Sequence, residues 1–197
     1  LILFFHNLDG SSLQTGIIYY RRLLTTEIVG RILPIDLTNM TLAEAMKYAR
    51  PDIPWPPSPD NCKDMIVPGF DGSDLRIRLY LPDHHDDDLP LIMHFHGGGF
   101  VAGTVEMDDH RCSWLAREVG CLVISVDYRL APEYRFPVAI EDGFAAWCWA
   151  VTNARSLGWD ARRSAVSGSS AGGHIAVAVT RLTQMRNVQQ PGFQLVV

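Results

Sequence analysis

Apolar positions recur at helical spacing over residues 17–33 and again over 41–50, where Leu42, Ala45, Met46 and Ala49 form one stripe. Thr41, followed three residues later by Glu44, has the form of a capping box, which marks a helix start. Pro51, Pro54, Pro56, Pro57 and Pro59 then crowd into a single short stretch. Proline lacks an amide hydrogen and fixes φ, so this stretch neither prolongs a helix nor joins a sheet interior. An extended connector is expected there, with a boundary between segments 1–60 and 61–197.

Beyond the boundary the period shortens. Residues 64–67 and 75–81 flank Gly69-Phe70-Asp71-Gly72 and read as a β-hairpin, with Arg76 and Arg78 alternating against apolar neighbours. Residues 91–95 and 121–126 are short apolar runs, as in strands covered on both faces of a parallel sheet. Helical character marks 109–119, 141–152 and 174–185, and 164–167 reads as another short strand. Strands alternating with helices of this length predict βαβ units and an α/β fold with a mainly parallel sheet. Pro191-Gly192 and the run 193–197 predict a turn and the start of one more buried strand. A chain that stops inside a core strand is uncommon, so a further C-terminal portion is expected past Val197.

Composition narrows the function classes. A hydrophobic share of 47% against 20% charged residues is that of an ordinary globular protein with ample core material. The net charge of −5 comes without any long basic block, which argues against a nucleic-acid partner, since phosphates are bound by clustered Lys and Arg. No window reaches the roughly 18 uninterrupted apolar residues of a membrane span. Residues 1–5 are too short for a signal-peptide core, and the chain opens on Leu1. The true N-terminus is therefore expected to be missing with any targeting signal, and a cytoplasmic location is a default. Cys62, Cys112, Cys121 and Cys148 show no C-x-x-C spacing; Cys121 and Cys148 read as buried, reduced thiols. His84-His85-Asp86-Asp87-Asp88 has metal-ligand chemistry, but between Pro82 and Pro90 it reads as a solvated loop.

Two glycine motifs carry the chemistry. In Gly168-Ser169-Ser170-Ala171-Gly172, a short apolar strand precedes the motif and an Ala/Val-rich helix follows. That is the setting of a nucleophile elbow, a sharp strand-to-helix turn that projects the Ser170 hydroxyl and demands very small residues at Gly168 and Gly172. The plainer alternative is a glycine-rich turn cradling a phosphate at a helix N-terminus. Neither G-x-x-x-x-G-K-[ST] nor G-x-G-x-x-G fits, so a nucleotide has little support. The second motif, His96-Gly97-Gly98-Gly99-Phe100, directly follows the strand 91–95. Successive glycines leave backbone N–H groups open, which suits the negative oxygen of an acyl-transfer intermediate. Alone it reads equally as a flexible turn. Together, in this order, the two motifs are far more specific.

These motifs, with Asp127-Tyr128-Arg129-Leu130-Ala131-Pro132-Glu133 between them, resemble the signature series of the hormone-sensitive-lipase-like esterases. That α/β-hydrolase family covers bacterial carboxylesterases, arylacetamide deacetylase and plant carboxylesterase-like proteins. The resemblance spans about residues 60–197; the first 60 match loosely, as a helical cap. It implies an α/β-hydrolase fold and a carboxylic-ester hydrolase acting on short-chain acyl esters, with no metal or organic cofactor. Ser170 is then the nucleophile, with Gly98, Gly99 and Ala171 as oxyanion donors. His96 and Gly97 would support the loop's geometry, Gly168 and Gly172 the elbow's, and Asp127, Arg129 and Glu133 would brace the oxyanion loop and sheet. Ser169 departs from the Asp many members carry there.

In this fold the triad runs Ser, then Asp or Glu, then His. Residues 171–197 contain no Asp, no Glu and only His174. His174 lies one helical turn past Ser170 and reads as a pocket or helix residue; His94 reads as a packing residue. The acid and the base are accordingly expected in a C-terminal segment. Two other readings stay open: a noncatalytic small-molecule receptor or pseudoenzyme on the same fold, and a hydrolase fragment completed by a second polypeptide.

Overall fold

The computed structural model describes residues 41–50, 52, 54–84 and 88–197. The helix expected over 17–33 and the centre of the His/Asp run lie outside the described residues. Six strands form one mixed sheet, in the order β1 (Cys62–Pro68), β2 (Asp74–Tyr80), β4 (Leu122–Val126), β3 (Leu89–Phe95), β5 (Trp159–Gly168) and β6 (Phe193–Val196). The hairpin β1–β2 is antiparallel, and β2 lies antiparallel to β4. Strands β4, β3, β5 and β6 run parallel. Their crossovers are α2 (Asp109–Val119), α3 (Val138–Leu157) and α4 (Ala171–Met185), while α1 (Leu42–Ala49) precedes the sheet.

Alternation along the strands feeds two cores, because successive side chains point to opposite faces. Leu91, Met93, Phe95, Leu122, Ile124 and Val126 pack with Trp147, Ala150, Ile175 and Val179 of α3 and α4. Cys121, Val123 and Ile92 join Tyr80 with Cys112 and Ala116 of α2. Both faces are covered, so β3 and β4 show no polar alternation in sequence.

The helix expected over 41–50 forms with its capping box: the Glu44 N–H donates to Thr41 Oγ1 at 3.3 Å and the Thr41 N–H to Glu44 Oε2 at 2.8 Å. Several elements run longer than their patterns, β1 and β3 among them. Helix α3 extends the expected 141–152 at both ends, and α4 begins directly behind Ser170 rather than at His174. Strand β5 begins at Trp159, where Asp160, Arg162 and Arg163 mimic a loop. Trp159 pairs with Leu89 and is buried, with its indole N–H donating to the Ala150 carbonyl at 2.9 Å; the register then shifts before Ser164 meets Leu91. The irregular ladder lets the arginines lie outside. Cys121 is buried as expected, whereas Cys148 is only partly covered.

Strand β3 is where the chain changes direction across the sheet. Helix α2 carries it to β4 on one side, and α3 returns it to β5 on the other. The C-terminal ends of β3 and β5 are therefore neighbours, with Phe95 opposite Gly168. Such a switch point opens the crevice where ligands bind in parallel sheets.

Candidate active site

Strand β5 ends at Gly168 and α4 starts at Ala171, leaving Ser169 and Ser170 to make the whole turn. Ser170 is exposed and holds φ 52° and ψ −116°, a sparsely populated conformation for a residue with a Cβ. Hydrogen bonds hold it there: its N–H donates to the Val197 carbonyl at 2.7 Å and its carbonyl accepts from the His174 N–H at 3.1 Å. The turn is so tight that a Cβ on Gly168 would overlap the Gly172 carbonyl, and one on Gly172 the Phe95 carbonyl. Glycine at both positions is thus a steric requirement of the turn.

The loop after β3 reaches the same place. A Cβ built on Gly97 would lie 3.2 Å from the Ser169 carbonyl oxygen and 3.8 Å from Ser170 Cβ, so Gly97 abuts the elbow. Gly98, Gly99 and Phe100 follow with φ of 128°, 62° and 65°. The Gly98 carbonyl accepts from the N–H groups of Val101 and Ala102, at 3.1 and 3.0 Å, which curls the chain back. Among the described residues, the N–H groups of Gly98, Gly99 and Ala171 donate to no protein acceptor. Fixed, unclaimed donors of this kind can receive a developing negative charge without reorganising.

His96 anchors the loop's root. It is fully buried and stacked on Tyr128, with ring centroids 4.2 Å apart. A carbonyl only accepts, so the 2.7 Å contact to the Gly97 oxygen places the proton on Nδ1. Burial pushes the His96 pKa down, which keeps the ring neutral. The Tyr128 hydroxyl donates to the His96 carbonyl at 2.7 Å, a contact that the chemistry of the sequence motif did not disclose.

The three charged residues of the Asp127–Glu133 segment bind three different parts of the fold. Asp127 accepts from Arg76 Nε at 2.9 Å, joining the segment to β2. Arg129 forks onto the buried Asp142 of α3 at 2.8 Å through both Nε and NH2 and onto Asp71 of the hairpin turn, between the rings of Phe70 and Tyr134. Glu133 takes two hydrogen bonds, each 2.9 Å, from Arg50 just past α1. Glu133 reaches the loop after β3 through Arg50, and Asp127 shares Arg76 with Glu106 on that loop's return.

His94 does more than pack. It is buried, with Nε2 3.0 Å from Asp108 Oδ2 and Nδ1 2.8 Å from Ser167 Oγ. It thereby ties the return of the glycine loop to the strand that carries the elbow. Burial raises the Asp108 carboxyl, but the His94 hydrogen bond and the positive charges nearby, Arg111 among them, together outweigh it and hold the pKa below the ordinary value. Ser167 stands far from His94 in sequence, so no local pattern reveals the link. His174 is exposed on α4 and sits edge-on to Phe100, with centroids 5.7 Å apart. Its side chain makes no hydrogen bond to Ser170 among the described residues. Among these residues no group of three His, Cys, Asp or Glu is arranged to hold a metal ion, and no helix is long and apolar enough to cross a membrane.

Comparison with known proteins points the same way. A family model described as the alpha/beta hydrolase fold matches residues 92–197. The ethyl acetate hydrolase of Pseudomonas putida is 40% identical over 142 residues, which cover 71% of this chain and 45% of that protein. Human hormone-sensitive lipase is 43% identical over 101 residues, covering 51% of this chain and 9% of the lipase. Among solved structures, an esterase of Pyrobaculum calidifontis superposes with a TM-score of 0.63 at 42% identity, covering 66% of this chain and 43% of that one. The chain thus spans about half the length of the bacterial relative and of the archaeal structure.

Proposed function

Because the chain belongs to the α/β-hydrolase fold family, we propose that the protein is a carboxylic-ester hydrolase working through an acyl-enzyme on Ser170. One observation supports this most: an exposed hydroxyl on a strained elbow stands against a loop with open N–H groups at Gly98 and Gly99, joined by that of Ala171. In the proposed reaction Ser170 Oγ attacks the ester carbonyl carbon, and the carbonyl oxygen takes up the negative charge against these three donors. A base takes the Ser170 proton and hands it to the departing oxygen, so that collapse of the intermediate expels the alcohol. Water then attacks the acyl-enzyme by the same route and frees the acid and the Ser170 hydroxyl. No metal or cofactor is needed for this sequence of steps.

A serine hydroxyl is a weak nucleophile without a base. His174 is turned to Phe100, and residues 171–197 offer neither Asp nor Glu. We assign the acid and the base to the further length that the relatives possess in the same polypeptide. The comparisons lend no support to a second chain completing the fold. The cap role expected of residues 1–60 is part of this proposal, and most of that segment lies outside the described residues. Short acyl esters are the proposed substrates, in keeping with a relative named for ethyl acetate. A cytoplasmic location is proposed with them.

A second reading keeps the pocket and dispenses with catalysis, as a small-molecule receptor would; it draws on the observation that no side chain among the described residues hydrogen-bonds the Ser170 hydroxyl. The full-length protein decides. A fluorophosphonate probe should label it at Ser170, with loss of labelling in Ser170→Ala. An unlabelled but folded protein that still binds small esters would establish the receptor instead.

A further inference from the structure

Three consecutive residues with positive φ, one of them Phe100, make the loop after β3 an improbable conformation for an isolated segment. Such backbone persists only where its surroundings over-determine it. Two external hydrogen bonds do so at the strained residues' far end. The Phe100 carbonyl accepts from the Ala131 N–H at 2.8 Å, and the Val101 carbonyl accepts from Arg50 Nε at 2.6 Å.

Arg50 does not stop there. Its NH2 group donates to the Ala131 carbonyl at 2.6 Å and to Glu133 Oε2 at 2.9 Å, and NH1 donates to Glu133 Oε1 at 2.9 Å. One guanidinium therefore grips the loop, the segment that holds the loop, and the carboxylate that fixes its own plane. Its backbone belongs to the C-cap of α1, with the N–H bonded to the Met46 carbonyl. Both partners of the Arg50–Glu133 pair are partly solvent-exposed, at 33% and 54% of their side chains. An exposed pair contributes little stability, so the arrangement is better explained by geometry than by the strength of the pair.

We propose that Arg50 is a positioning residue that couples the seating of α1 to the geometry of the oxyanion donors Gly98 and Gly99. This rests on the esterase reading given above. When α1 is seated, Arg50 pins Val101 to Ala131 and the donors are held in place. When α1 lifts, the loop loses this bond and its donors lose their fixed direction. Lysine cannot substitute, because its single ammonium cannot present a planar fork to two carbonyls and a carboxylate at once.

The test uses the full-length protein with p-nitrophenyl acetate, comparing wild type, Arg50→Ala and Arg50→Lys. Loss of one oxyanion donor costs about 100- to 1,000-fold in kcat; loosening two should cost roughly 10- to 100-fold. We expect that fall in both variants with KM within about twofold, and partial recovery of Arg50→Ala by millimolar guanidinium chloride. Arg50→Lys keeps the charge and the aliphatic stem, so it supplies a folded variant should Arg50→Ala fail to fold. Unchanged kcat, a change confined to KM, or a loss matching only the unfolded fraction in thermal melts would each overturn the proposal. A wild-type protein with no hydrolysis would instead refute the esterase reading.

Discussion

Gly172 lies so close to the Phe95 carbonyl that no side chain fits between them. The contact joins the first turn of α4 to the end of β3 and thereby sets the elbow against the neighbouring loop. Gly172→Ala should push α4 away from β3, since the obstructing atoms are backbone and cannot rotate aside. We expect destabilisation of about 2–4 kcal/mol by urea unfolding, with loss of fluorophosphonate labelling even in the folded fraction. Labelling at the wild-type rate would show that the elbow tolerates the added methyl.

Ser170 holds a positive φ that glycine adopts freely. Ser170→Gly should therefore abolish hydrolysis while raising stability, because relief of strain outweighs the extra entropy of an unfolded glycine. A gain of about 1 kcal/mol is expected. A lowered melting temperature in this variant would mean that the elbow's strain is smaller than its dihedral angles indicate.

The glycine loop's return is tied to the elbow strand by the Asp108–His94–Ser167 chain of hydrogen bonds. His94→Ala leaves a largely buried carboxylate with only the long 3.7 Å contact to Arg111 and should cost about 2–4 kcal/mol. The double variant His94→Ala/Asp108→Ala should cost less than the sum of the single changes, since the second removes the stranded charge. Strict additivity in urea melts would dissolve the link.

Acid should weaken the protein through Glu106. Burial raises its pKa, but the hydrogen bonds and charge of Arg76, together with the local backbone, outweigh burial and hold it at about 2. The folded value lies below the ordinary 4.5, so the unfolded chain binds the proton more readily. The contribution, roughly 3 kcal/mol, is complete above about pH 5 and disappears as the pH falls through 4.5 toward 2. Glu106→Gln should be less stable at pH 7 and should show a flatter decline of the unfolding midpoint between pH 5 and 3. Parallel declines in the two proteins would assign the acid sensitivity to other carboxylates.

Much of this was legible in the chain itself. The period-2 and apolar runs marked β1 to β4, because a strand covered on both faces must be apolar throughout and a hairpin must turn at Gly69–Gly72. The elbow was legible for the same kind of reason: steric demand at Gly168 and Gly172 is local, and local demands leave residue types behind. Strand β5 was only half visible, since a register shift against β3 leaves Arg162 and Arg163 outside, in the middle of the strand.

What the sequence determined, then, was the set of parts: a strained serine, a run of open amides, and strands and helices to carry them. Tertiary structure decided their assembly. Phe95 comes opposite Gly168 because α2 and α3 cross to opposite sides of β3. Arg50, His94 and Tyr128 acquire their roles from partners 14 to 83 residues away. A hydrogen bond between distant segments leaves no period and no spacing in the chain, so only the fold could reveal that the loop beside Ser170 is held from α1.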